Sequence, residues 1–368
     1  MNTEKNIALI SPSKEAYSET FIQMHRKGIY GNVLYYFGGE LPTQNDIKGK
    51  LGSLLLKIRY KFLSKFSNLL LSYKEYTLYQ SFKKQNIDIV VAEYGTTAAR
   101  ILKVCKRAEL PLIPIFHGYD IHIYEIVEKN KVQYRDLFLY SKKIIAVSFS
   151  MKQKLISLGC EEEKIEVSPC APDDTFFDLE PDFSEKKLIS IGRFVEKKAP
   201  NVSIKAFAKV VKKHPDAKLY MIGQGPMFEA CVQLIDELSM QENIFLLGVK
   251  NRDEIRALMA TCSVYVQHSV VAKNGDSEGT PVSILEAQAA AIPVVSTLHE
   301  GIKDVIVNNE TGFLVSEHDE ADMASKIEFL LDHLVKAKLM GLNGRKRTLE
   351  KYARKVHMDT VNAIIYSR

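Results

Sequence analysis

The chain alternates between short runs of apolar residues and longer stretches in which apolar residues return every three or four positions. In the first half the short runs predict strands at Ile7–Ser11, Val33–Phe37, Ile87–Ala92, Leu112–Phe116, Ile144–Val147 and Ile165–Ser168. In the second half they predict strands at Leu188–Ile191, Leu219–Ile222, Ile244–Leu247, Val264–Gln267, Pro293–Ser296 and Gly312–Val315. Most of these runs are apolar on both faces, as buried parallel strands are. Helical periodicity fills the intervals, as in Val202–Lys213, Phe228–Leu238 and Ile284–Ala291. Repeated strand–helix–strand units specify an α/β chain of doubly wound, Rossmann-like domains. After the last strand, two helices are expected at about Asp319–Leu339 and Asn343–Ile365.

There are two such series. Between them Pro169–Ser184 (PCAPDDTFFDLEPDFS) has three prolines, five acids and no Lys or Arg, which reads as a linker. The expected plan is a first domain at 1–172, a linker at 173–184 and a second domain at 185–350. A final helix at 351–368 could return to the first domain. Ligands of open α/β sheets sit at the carboxyl ends of strands, where loops lead into helix N-termini. The chemistry is therefore expected in strand-to-helix loops, with the two domains facing across a cleft.

Composition adds limits. The 368 residues suit two domains, and 46% apolar with 26% charged residues is ordinary for a globular protein. No apolar run is long enough to span a bilayer, and the N-terminus carries no signal-peptide pattern. The five cysteines are scattered and odd in number, which predicts free thiols in a reducing compartment. The net charge of +5 does not call for nucleic acid, but it is unevenly spread. Residues 47–84 carry nine Lys or Arg against the single acid Glu75. Within them Leu51–Leu71 mixes apolar and basic residues at helical spacing, an amphipathic basic helix suited to an anionic membrane or a lipid-linked substrate. It contains no Trp anchor.

Several loops carry candidate chemistry. Asp276–Glu286 (DSEGTPVSILE) places Gly279, Thr280 and Pro281 immediately before a helical run. A glycine permits close backbone approach, and N–H groups at a helix start favour an anion. Glu278 and Glu286 flank that start, and a carboxylate such as Glu286 can accept two hydrogen bonds from a vicinal diol such as a ribose. Gly192–Lys198 (GRFVEKK) puts Arg193 and Lys198 at the end of a strand, a planar fork and a point charge that can clamp a diphosphate. Lys197 could take the place of Lys198. Gly223 and Gly225 follow another strand, either as a tight turn or as ligand contacts. Phe228 at the sixth position rules out a dinucleotide fingerprint. His117, in Phe116–Asp120 (FHGYD), ends a first-domain strand, with Asp120 beside it. Ser18 and Glu19 follow the first strand and could open a helix.

Together these residues resemble the retaining family 4 glycosyltransferases of the GT-B fold. The subgroup resembled is the colanic-acid and exopolysaccharide galactosyltransferases. HSVVAKNGDSEGTPVSILEAQAAAIPVVSTLHEG is the most specific stretch. The resemblance implies that Arg193 and Lys198 hold the donor diphosphate, with Gly223 and Gly225 nearby. It places Glu278, Gly279, Thr280 and Pro281 at the donor sugar and phosphates, and Glu286 at the ribose. It puts His117 at the reaction centre, supported by Asp120, Ser18 and Glu19. It further implies transfer of a hexose from a nucleotide-sugar, a UDP-sugar, to a lipid-linked polysaccharide or O-antigen intermediate. No cofactor or metal is expected, and the location is cytoplasmic, peripheral on the inner face of the membrane. Ala199 stands where relatives commonly have Gly. A nucleotide-sugar 2-epimerase and a non-catalytic partner of the same fold are the alternatives.

Overall fold

The computed structural model describes residues 4–14, 20–66 and 70–367. The chain divides into two compact units, Met1–Ser168 with Met358–Arg368, and Pro169–His357.

The first unit is built on an eight-stranded sheet. Its strands are β1 (Asn6–Ile10), β2 (Asn32–Phe37), β3 (Gln44–Asn45), β4 (Gly49–Lys50), β5 (Ile89–Glu93), β6 (Leu112–Phe116), β7 (Ile144–Ala146) and β8 (Ile165–Val167). The order is β4-β3-β2-β1-β5-β6-β7-β8, parallel except for the short β3 and β4. Among the described residues the sequence pattern misses only those two strands, because two residues cannot establish an alternation. The final helix, Arg354–Tyr366, ends in this unit. Its Asn362 accepts from Tyr30 N at 2.8 Å and donates to Gly28 O at 3.0 Å, and Tyr366 Oη donates to Tyr30 O.

The second unit holds β9 (Lys187–Ile191), β10 (Lys218–Ile222), β11 (Ile244–Leu246), β12 (Val264–Gln267), β13 (Val294–Thr297) and β14 (Gly312–Val315). All pair in parallel in the order β11-β10-β9-β12-β13-β14. Side chains alternate between two cores, as a strand's period of two requires. Leu188, Val264 and Val266 join Phe207, Met323 and Ile327 on one face. Ile189 and Tyr265 join Ile284, Leu285 and Val294 on the other. Helices thus cover both faces, and these are two Rossmann-like parallel α/β domains.

Two readings need correction. The stretch read as a linker folds into the second unit: Phe176 and Phe183 are buried there, and Arg345 donates to Leu179 O. The helices after β14 are three, at Glu320–Asp332, Leu334–Lys351 and Arg354–Tyr366. The breaks come at His333 and Tyr352, each with a φ of −128° outside the helical region, while the break expected between Leu339 and Asn343 falls inside the helix Leu334–Lys351.

Candidate active site

The order of the second sheet reverses between β9 and β12, and such a switch point is where doubly wound sheets bind ligands. Two loops leave the carboxyl ends of those strands. The loop after β9 carries Arg193, Lys197 and Lys198. The loop after β12 carries Asp276, Glu278 and Thr280 into the helix Val282–Ala289.

The structure joins the two loops. Val270 N donates to Lys197 O at 2.9 Å, and Lys197 Nζ reaches Asp276 Oδ1 at 2.9 Å and Ser277 O at 3.2 Å. Lys198 Nζ lies 3.0 Å from Glu278 Oε1, both largely buried. The two lysines therefore divide the work. Lys197 fastens the loops, and Lys198 and Glu278 form an ion pair that a ligand can exchange. Burial works against the Glu278 anion, but Lys198 and Lys197 outweigh it and draw the carboxyl down to about 2. Burial likewise lowers the Lys198 ammonium, partly offset by Glu278. Arg193 is exposed beside this pair. With Lys198, Gly192 and Gln267 it lines a small pocket at the end of β9.

Ala199 sits at φ +35° and ψ +53°, a left-handed conformation immediately before Pro200 opens a helix. Gly223 and Gly225 meet the same loop from the other side. A Cβ at Gly223 would lie 1.9 Å from Gly192 O, and one at Gly225 would lie 2.4 Å from Phe194 O. Both glycines let the Arg193 loop rest on the end of β10.

Gly279, Thr280 and Pro281 lead into the helix, with Pro281 O accepting its first hydrogen bonds from Ile284 and Leu285. Thr280 Oγ1 accepts from Cys170 N at 3.2 Å. Glu286 lies within the helix, partly covered. Desolvation pushes its carboxyl up to about 8, with Arg252 opposing and Asp173 adding to the rise. Sequence reasoning passed over His299. Its Nε2 accepts from Glu278 N at 3.2 Å, and its Nδ1 meets Glu317 Oε1 at 2.6 Å. Glu317 also accepts from Val271 N, so this pair sets the path of the loop that carries Glu278. The signal was present in STLHEG, but nothing in a lone His–Glu spacing names its partner.

A second cluster forms at the carboxyl ends of β5 and β6 in the first unit. His117 follows β6, and Asp120 holds it by the backbone. Asp120 Oδ1 accepts from His117 N and Gly118 N, at 3.1 and 3.0 Å, and Oδ2 from Gly95 N at 2.6 Å. The sequence reading gave no role to the other residues around His117. Glu93, the last residue of β5, meets His117 Nε2 at 2.7 Å and His25 Nδ1 at 2.5 Å. Phe21 stacks on the His117 ring at 4.2 Å between centroids, and Tyr94, at φ +72°, lies 5.0 Å from it. Ser18 and Glu19 lie outside the described residues. All five cysteines are free and buried.

Residues 173–347 match the family model of glycosyl transferases group 1, and residues 24–176 match that of glycosyltransferase family 4. The Escherichia coli (strain K12) protein named "Putative colanic acid biosynthesis glycosyltransferase WcaL" is 30% identical over 245 residues, 65% of this chain and 60% of that protein. Amylovoran biosynthesis glycosyltransferase AmsK of Erwinia amylovora is 30% identical over 247 residues, with the same shares of each chain. The match thus spans 60% of the length of these relatives. The crystal structure of Anabaena Alr3699/HepE in complex with UDP superimposes with a TM-score of 0.79. It covers 99% of this chain and 100% of that one at 16% identity, which shows a shared fold.

Proposed function

The chain belongs to the family 4 glycosyltransferases of the GT-B fold, and from that premise we propose that it is a retaining hexosyltransferase of exopolysaccharide synthesis. It moves a hexose from a UDP-sugar to a lipid-linked saccharide. The observation that carries this reading is the placement of Arg193, Lys198 and Glu278 at the switch point between β9 and β12.

The chemistry follows from charge. As the bond from the sugar's anomeric carbon to the diphosphate oxygen breaks, negative charge grows on the diphosphate and positive charge on the sugar. Arg193, Lys198 and the N–H groups opening the helix Val282–Ala289 stabilise the first, as fixed donors aimed where charge develops do. Lys198 leaves Glu278 for the phosphate, and Glu278 turns to the sugar hydroxyls. Glu286 accepts from the ribose diol. The acceptor hydroxyl attacks on the same face and passes its proton to the departing diphosphate oxygen, so the anomeric configuration is kept. His117, held by Asp120, binds the hexose. No step draws on a metal ion.

The helix Leu54–Phe66 supports a membrane-bound acceptor. Leu54, Leu55, Ile58 and Phe62 are exposed, with Lys57, Arg59, Lys61 and Lys65 among them. No helix among the described residues is long and apolar enough to cross a membrane. The helix therefore lies on the bilayer's anionic surface, where apolar area and basic charge add.

The test is thermal melting with UDP, GDP, ADP and NAD, each with a chelator present. A ligand that binds only the folded state raises the melting temperature by mass action. UDP alone is expected to raise it. A rise with GDP alone moves the donor to a GDP-sugar, and no rise with any nucleotide overturns the reading. Transfer from a labelled UDP-hexose to a lipid-linked acceptor, with the new anomer read by NMR, then checks retention.

A further inference from the structure

Glu93 is a carboxylate with no exposed surface, at the end of a strand otherwise composed of Ile, Val and Ala. A buried charge is costly to fold around unless it is paired and hydrogen-bonded. Here two imidazoles pair with it, one on each oxygen: His25 from the helix Thr20–Gly28 on Oε1 and His117 on Oε2. The carboxylate lies at the carboxyl end of its sheet beside the switch point between β1 and β5, where open α/β sheets place their ligand groups. Although burial opposes ionisation, the two histidines hold the carboxyl at about 2. Glu93 is therefore an anion at neutral pH, and it can only accept hydrogen bonds.

That decides the protons on both rings. His25 must carry a hydrogen on Nδ1, and His117 must carry one on Nε2. In the neutral His117 ring, Nδ1 is then the lone-pair nitrogen, an acceptor for a hydroxyl. Asp120 fixes the backbone of His117, while Glu93 fixes its ring. His25 in turn holds Glu93 by its other oxygen.

We propose that Glu93 is the positioning residue of His117: clamped by His25, it sets the His117 tautomer and so makes Nδ1 the acceptor for a hydroxyl of the hexose. This rests on the transferase reading only for its sugar.

Glu93→Gln is the informative substitution. An amide of nearly the same shape offers one acceptor and one donor, so one of the two histidines must move its hydrogen to the other nitrogen. A carboxylate-to-amide change beside a catalytic histidine acts in this way in serine proteases, at a cost of about 10⁴ in rate. Glu93→Asp keeps an acceptor-only group and is the conservative control. The experiment pairs two readouts on the full chain. The first is ¹⁵N NMR of histidine-labelled protein, with the His117 signals assigned from a His117→Ala sample. The second is transfer kinetics with a UDP-hexose.

Wild type is expected to show His117 protonated on Nε2. Glu93→Gln is expected to disturb that tautomer or that of His25. It should also lower kcat at least about 100-fold, with KM for the donor changing by less than about threefold. Glu93→Asp, folding as judged by its melting temperature, is expected to keep the tautomer and recover at least a tenth of kcat. His117 protonated on Nδ1 in wild type would overturn the proposal. So would a Glu93→Gln enzyme with unchanged tautomers and kcat, or equal losses of kcat in both variants with the tautomer intact. If no donor supports transfer, the transferase reading fails, while the NMR result still decides the role of Glu93.

Discussion

Burial makes Glu286 a reluctant anion. In the unfolded chain its carboxyl ionises near 4.5, but in the folded protein it does so only near 8. Between those values the folded state keeps a proton that the unfolded state has lost, so this residue's contribution to stability falls as pH rises through the window. Glu286→Gln removes the effect. Without ligand, its melting temperature is expected to match wild type near pH 4.5, exceed it increasingly toward pH 8 and then hold a constant lead. A lead that does not vary with pH would mean an ordinary carboxyl. In the same protein at neutral pH, Glu286→Ala is expected to weaken UDP binding about threefold to tenfold, because a ribose diol loses a hydrogen-bond partner worth about 0.5–1.5 kcal/mol. Isothermal titration checks it. Glu278 has the opposite sign. Its carboxyl, drawn down by Lys198, stabilises the fold above about 4.5, and that stability is lost as pH falls toward 2. Lys198→Ala strands the buried carboxylate and is expected to cost about 3 kcal/mol in urea unfolding, with the Lys198→Ala/Glu278→Gln double variant costing less. Arg193 and Glu278 stood out in the sequence because each adjoins a glycine at a strand-to-helix junction, Lys198 because a proline opens a helix two positions on, and Glu286 because it is an acid among Ile284, Leu285 and Ala287. Glu93 and His25 were not. One acid closing the run IVVAE looks like a strand terminus, and its partner lies 68 residues away.

At the scale of an element, the helix Leu54–Phe66 inverts the usual arrangement. Tyr60, with its hydroxyl donating to Leu71 O, and the half-buried Leu56 and Leu63 face the protein, while Leu54, Leu55, Ile58 and Phe62 face outward. An outward apolar face does little for the fold, so its loss should barely register in stability. Leu55→Ser with Ile58→Ser is expected to change unfolding free energy by no more than about 0.5 kcal/mol each, while sharply reducing binding to vesicles. Changing Lys57, Arg59, Lys61 and Lys65 to Ser should reduce binding to anionic vesicles alone, since each basic residue near such a surface contributes about 1 kcal/mol. Cosedimentation with phosphatidylserine and phosphatidylcholine vesicles separates the two, and unchanged binding in both variants would make the helix purely structural. The twelve longer strands were readable from their apolar runs. The hairpin β3–β4 was not, nor the break at His333, because periodicity reports which face is buried and is silent on where the backbone turns.

At the scale of the molecule, two series of strands and helices were legible, but the order of strands within each sheet was not, since alternation along a chain carries no record of neighbours. Yet that order decides the chemistry. It puts β9 beside β12, and so brings Lys198 to Glu278 across 80 positions of sequence. It also gathers Arg193, Lys198, Glu278 and Glu286 into one unit, while His117 and Glu93 lie in the other. A nucleotide and a sugar should therefore be felt in different places. UDP at about 100 times its dissociation constant adds about 2.7 kcal/mol to whatever unit binds it. For a unit of this size, that is a rise of about 5–10 °C in its melting. Hydrogen exchange is expected to show UDP slowing amides at 192–199 and 278–289, leaving those at 112–122 unchanged, and a UDP-hexose slowing all three. UDP that protects 112–122 as strongly as the UDP-hexose does would detach His117 from the sugar. A UDP-hexose that adds nothing there would remove it from the reaction altogether.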